Sequence, residues 1–196
     1  MGRLILKTGS IWSSYAGGIG HGVNTHGVMG SGIAVQFKER FPDMYQQYRR
    51  MCLDDILEPG MIFPYLAGQS SGGREMYVYN IASQDAPGPN AKYKWLLMGV
   101  CRALEHAEEV GIATIALPRI GAGVGGLDWR RVEERLVIAA DSFDVSIEVW
   151  SLPEVAKATE PTHTFIHADP KKNPLRADGL YGKAAAAADG DWYGSH

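Results

Sequence analysis

Residues 27–34 read Gly27-Val28-Met29-Gly30-Ser31-Gly32-Ile33-Ala34, and residues 121–126 read Gly121-Ala122-Gly123-Val124-Gly125-Gly126. Each stretch follows a short run that reads as a strand, and each opens into a helical pattern. Glycine lets backbone N–H groups approach a ligand closely, and a helix N-terminus adds partial positive charge. Such a place favours a phosphate. Two of them in one chain predict a cleft that grips a diphosphate from both sides.

Composition sets the frame. The chain has 196 residues, 45% hydrophobic and 21% charged, enough for a packed core in one domain. The formal net charge of -3 argues against a generic nucleic-acid binder, which carries a basic surplus. Cys52 and Cys101 both fall in half-apolar helical segments and read as buried free thiols. Met1 to Lys7 is too short an apolar run for a signal peptide, and no stretch is long enough to span a bilayer. The expectation is a cytoplasmic protein with no membrane partner, no metal and no cofactor.

Strands and helices alternate outward from the glycine loops. Leu4–Leu6, His21–Asn24, Met61–Leu66, Met76–Ile81, Ile112–Leu117 and Ser146–Leu152 read as strands. Ile33–Arg40 reads as a helix, and Pro42 starts another with Met44, Tyr48 and Cys52 on one face. Tyr93–Val110 is the clearest helix, with Leu97, Val100, Cys101, Leu104 and Ala107 on one face and Gly111 at its end. Asp128 reads as the cap of a last helix whose apolar face holds Val132, Leu136, Ala139 and Phe143. The alternation predicts an α/β fold of three layers, α/β/α, with a mixed, largely parallel sheet. Periodicity stops after Leu152. Residues 153–196 are either a flexible extension or a segment that packs through Phe165, Tyr181, Trp192 and Tyr193.

Gly121, Gly123 and Gly126 match G-x-G-x-x-G, the dinucleotide fingerprint. That fingerprint belongs on the first strand of its sheet, whereas here one strand follows. The dinucleotide reading therefore fails on order.

The two loops together resemble the macrodomain family of ADP-ribose binders. The resemblance rests on Asn24-Thr25-His26 leading into the first loop and on Val35-Gln36-Phe37-Lys38 and Phe41-Pro42 after it. It continues in Tyr79-Asn80-Ile81-Ala82-Ser83, in Leu117-Pro118-Arg119-Ile120-Gly121-Ala122-Gly123, and in Gly126-Leu127-Asp128-Trp129. Order and spacing fit across residues 3–152, which marks 1–152 as the domain. The chain is most similar to the branch of terminal ADP-ribose glycohydrolases and antitoxins that remove ADP-ribose from DNA.

The resemblance implies which residues meet the ligand. Val28, Met29, Gly30, Ser31, Gly32, Ile33 and Ala34 would wrap the distal ribose and one phosphate. Arg119, Ile120, Gly121, Ala122, Gly123 and Val124 would cover the diphosphate from the other side. Asn24 would reach the distal ribose hydroxyls; read from the residue alone, it is equally a turn-forming Asn at a strand end. Ser10 and Ile11 would meet the adenine edge, with Ser10 where the family commonly has an Asp. Trp150 resembles the aromatic that stacks on adenine.

Catalysis is where the chain departs from the branch. A lysine just after the strand attacks the anomeric carbon there, and Gln84 stands at that place, so no lysyl adduct forms. His26, as acid or base, and Asp85, as a group orienting water, are the candidate catalytic residues. Two functions stay open. One is hydrolysis of ADP-ribose 1''-phosphate or of an ADP-ribosyl adduct on protein or nucleic acid through a positioned water. The other is a non-catalytic reader or sequestering module for ADP-ribose-type ligands.

Overall fold

A computed structural model describes residues 1–69 and 75–153. The extension expected beyond them, with Phe165, Tyr181, Trp192 and Tyr193, lies outside the described residues. The chain runs β1 (Leu4–Thr8), a 3-10 turn (Ile11–Ser13), β2 (Gly18–Val23), α1 (Ile33–Arg40), α2 (Pro42–Leu53) and β3 (Ile62–Gln69). It continues with β4 (Glu75–Ala82), α3 (Tyr93–Glu109), β5 (Thr114–Pro118), α4 (Trp129–Ser142) and β6 (Ser146–Ser151).

The six strands form one sheet in the order β1-β6-β5-β2-β4-β3. All neighbours pair in parallel except β3, which runs antiparallel to β4 at the edge. Parallel strands need crossover helices, and these cover both faces. One apolar layer joins α3 and α4 to the sheet through Leu97, Val100, Leu104, Leu136 and Ile147. The other joins α1 and α2 through Phe37, Met44, Tyr48 and Val78. Burying each such side chain contributes roughly 1.5–3 kcal/mol. Both cysteines are buried and free, and Asp128 Oδ1 accepts from Arg131 N at 3.2 Å as the cap of α4. Phe143 is the residue after α4, half-buried against the core instead of within the helix. No helix among the described residues is long and apolar enough to cross a membrane.

The one strand whose start the sequence hides is β2. It begins at Gly18, three residues before the expected His21. Alternating glycine there leaves no hydrophobic pattern to read. The reason is packing: a Cβ on Gly20 would stand 2.8 Å from Leu117 Cδ2 and 3.2 Å from the Tyr79 carbonyl.

His21 in this strand is fully buried and lies flat on Phe37, with ring centroids 3.9 Å apart. Its Nε2 is 3.0 Å from Asn80 Oδ1. Asn80 Nδ2 donates to Phe63 O, so the Asn80 oxygen faces the ring and Nε2 carries the proton. Nδ1 has no partner among the described residues. Burial lowers the His21 pKa from 6.5 to about 4, against the smaller opposing pull of Asn80. Between those two values the unfolded chain binds a proton that the folded chain rejects. The contribution is therefore complete above pH 6.5 and lost as pH falls through about 4. Urea unfolding at about pH 7.5 and about pH 4.5 is expected to show a drop in wild-type stability that exceeds the drop in His21→Leu by roughly 2–3 kcal/mol. Equal drops would mean that His21 does not stay neutral.

Candidate functional site

β2, β4, β5 and β6 run in one direction, so the segments leaving them gather on one edge of the sheet. They enclose a cleft of about 810 Å³, within the range of small-molecule sites. The two glycine stretches meet over it. Gly32, at φ +57°, sits in the left-handed region just before α1, and a Cβ there would stand 3.3 Å from Val124 Cγ2. The loops thus touch across the mouth.

Their amides are the chemistry of the site. N–H groups of Met29, Gly30, Ser31 and Gly32 have no backbone partner among the described residues, nor do those of Gly123, Val124 and Gly125. No side chain caps α1, so its first-turn amides add to the set. A row of unpaired donors beside a helix N-terminus forms an anion nest.

Each loop is held from behind. Asn24, at the end of β2, is buried, and its Oδ1 accepts from His26 N at 2.9 Å and Val28 N at 3.3 Å. Its Nδ2 donates to Val28 O at 2.7 Å. Tyr48 OH donates to the Asn24 carbonyl at 2.7 Å. Burial raises the Tyr48 pKa far above its ordinary value, which keeps that donor protonated. The second loop is a series of tight turns: Ala122 N donates to Arg119 O at 3.2 Å, Gly126 N to Gly123 O at 3.1 Å and Leu127 N to Gly121 O at 2.9 Å.

Arg119 is the one ionisable side chain among the described residues lining the cleft. Its Nε donates to Ser151 Oγ at 2.9 Å, and its guanidinium lies 5.1 Å from the Trp129 ring centroid. Glu133 is buried, and desolvation raises its pKa against the opposing pull of a hydrogen bond with Trp129 and of the Arg119 charge.

Of the residues singled out in the sequence, Ser10, Ile11, Ser31, Gly32, Ile33, Ala34, Arg119 to Val124 and Trp150 line this one cleft. Asn24, Val28, Met29 and Gly30 are not in its lining. Asn24 spends its side chain on the loop backbone, and Met29 is buried under the loop as core. His26 and Asp85 also stand outside, exposed at the rim, with His26 Nε2 4.0 Å from Asp85 Oδ1. Thr25 Oγ1 donates to the same Asp85 oxygen at 2.7 Å. Gln84 does line the cleft, and its Nε2 donates to Ala86 O at 3.0 Å and Gly88 O at 3.4 Å. Sequence reading missed Trp12, Gln36 and Trp129 in the lining. Trp12 carried a signal, as an aromatic just after the Gly9-Ser10 turn; Gln36 and Trp129 stand in stretches that carry the family resemblance, but nothing in the sequence placed either in the cleft.

The fold and this cleft define a class, and comparison with known proteins names it. A family model, the Macro domain, matches residues 21–136. The chain belongs to the macrodomain family. A DNA ADP-ribosyl glycohydrolase of Thermus aquaticus is 33% identical over 165 residues, covering 82% of this chain and 45% of the relative. This chain therefore spans under half the length of that relative. The solved macrodomain of Thermus aquaticus DarG superposes with a TM-score of 0.69 at 32% identity, covering 77% of this chain and 99% of that one. Thermosipho africanus DarTG, solved in complex with ADP-ribose, gives a TM-score of 0.69 at 25% identity over 78% of this chain and 42% of that one.

Asn24→Ala removes three hydrogen bonds that shape the first loop, at about 1 kcal/mol each. Denaturant unfolding is expected to show a loss of roughly 2–3 kcal/mol. An unchanged midpoint would mean that the loop holds its shape without this side chain.

Proposed function

We propose that the cleft binds ADP-ribose or a molecule carrying an ADP-ribosyl group, with its pyrophosphate between the two glycine loops. The observation that carries this reading is that Ser31 and Gly32 of one loop and Gly123, Val124 and Gly125 of the other line one opening with amides that have no backbone partner among the described residues. These donors neutralise an anion without a basic surface, in keeping with a net charge of -3. The named activities of the relatives agree with such a ligand, on DNA or in free form.

Binding without turnover is the function the geometry supports best. Arg119 is the one ionisable lining group among the described residues, and an arginine does not exchange protons near neutrality. Gln84 offers no nucleophile, and its amide is engaged by Ala86 and Gly88. A second reading, hydrolysis through a positioned water, draws on one feature. Thr25 holds Asp85 at the rim beside Gln84, with His26 close by. Its substrates would be ADP-ribose 1''-phosphate or ADP-ribosylated protein or DNA, nucleic acid entering only as the carrier of the adduct.

Gly123→Glu tests the binding site. A Cβ at Gly123 meets nothing within 4 Å, so the fold tolerates it while a carboxylate enters the anion nest. Calorimetry is expected to show ADP-ribose affinity falling at least about a hundredfold with an unchanged melting curve. Retained affinity would remove the second loop from the site.

Incubation of wild type with the three candidate substrates separates the two readings. The expected result is tight binding and no released product. Product that disappears in both His26→Ala and Asp85→Ala would establish the hydrolase instead.

A further inference from the structure

The cleft runs across the ends of β1, β6, β5, β2 and β4, in that spatial order. The glycine loops leave β5 and β2, in the middle, and Gln84 follows β4 at one end. The β1–β6 end is different in kind. Gly9 N donates to Ser151 O at 2.8 Å, and a Cβ on Gly9 would stand 3.7 Å from the Trp150 ring. Trp12 and Trp150 both line this end, and indole faces suit a flat heterocyclic base.

The polar side chains that meet the base end are uncharged, and each can donate and accept. Ser10 Oγ already accepts from Trp12 N at 3.4 Å, Gln36 Oε1 from Trp12 Nε1 at 2.6 Å, and Ser151 Oγ from Arg119 Nε at 2.9 Å. What these side chains hold in reserve serves both senses: each hydroxyl keeps its proton and a lone pair, and the Gln36 amide keeps its NH₂ and a second lone pair on Oε1. The neighbouring carboxylate, Glu148, is turned elsewhere. Its Oε2 accepts from Ser14 Oγ at 2.7 Å and Trp150 Nε1 at 2.9 Å, and its Oε1 faces Lys7 Nζ at 4.0 Å. Adenine presents an amino donor at C6, whereas hypoxanthine and guanine present a carbonyl acceptor there.

We infer that the base end of the cleft does not discriminate between a 6-amino and a 6-oxo purine, taking the two to within about fivefold, with Ser10 as the residue that leaves it without a preference. This deepens the ADP-ribose reading and rests on it. Hypoxanthine is the plainest case, since inosine diphosphate ribose differs from ADP-ribose in carrying a 6-oxo group for the 6-amino group.

Calorimetric titration of the full chain with ADP-ribose and with inosine diphosphate ribose is the test. The expected result is two affinities within about fivefold of each other. Ser10→Asp keeps a good cap for the following 3-10 turn and adds a charged acceptor, so it is expected to shift the ratio at least about tenfold toward ADP-ribose. A wild-type preference for either ligand above about fivefold overturns the inference and leaves the proposed ligand class standing. A ratio unmoved by Ser10→Asp overturns the assignment to Ser10. Failure of both ligands to bind overturns the ligand class itself, and the inference with it.

Discussion

Backbone amides that the fold leaves without an internal partner are the constraint around which this molecule is arranged. In exposed turns such amides are hydrated, and a bound anion can take the place of that water. Here the lining donors come from two turns, at Ser31–Gly32 and Gly123–Gly125, whose amides have no backbone partner among the described residues. Asn24, Tyr48 and the stacked turns after Arg119 hold these amides open.

The proposed anion site does not require a basic chain. Dipoles act over a few ångströms and do not need a surplus of lysine and arginine. A single guanidinium, Arg119, enters the cleft, fixed by Ser151 and laid over Trp129. Its position links the second glycine loop to Ser151 and the aromatic end of the cleft. The same division of labour separates recognition from chemistry. Groups able to move protons, His26 and Asp85, stand at the rim, whereas the lining is amide, hydroxyl and aromatic.

Much of the fold was legible in the sequence because its signals are local. The stripe Leu97, Val100, Leu104 and Ala107 specifies α3 by its period, Asp128 marks the start of α4, and Gly111 marks the end of α3 at φ +74°. β2 was legible only in part, since Gly18 and Gly20 are dictated by Tyr79 and Leu117 across the sheet. Much of the cleft was likewise visible as two glycine stretches. Trp12, Gln36 and Trp129 were not, because their place in the lining comes from strand order and helix docking.

The sequence by itself determined the alternation of strands and helices, the two glycine turns and the absence of lysine at position 84, since each of these is a property of a few neighbouring residues. Tertiary structure alone decided that the two turns face each other, that Asn24 turns inward to brace its loop, and that Gln36 accepts from the Trp12 indole. Those facts depend on parallel pairing of strands distant along the chain. Only that pairing brings residue 32 against residue 124 and residue 9 against residue 150.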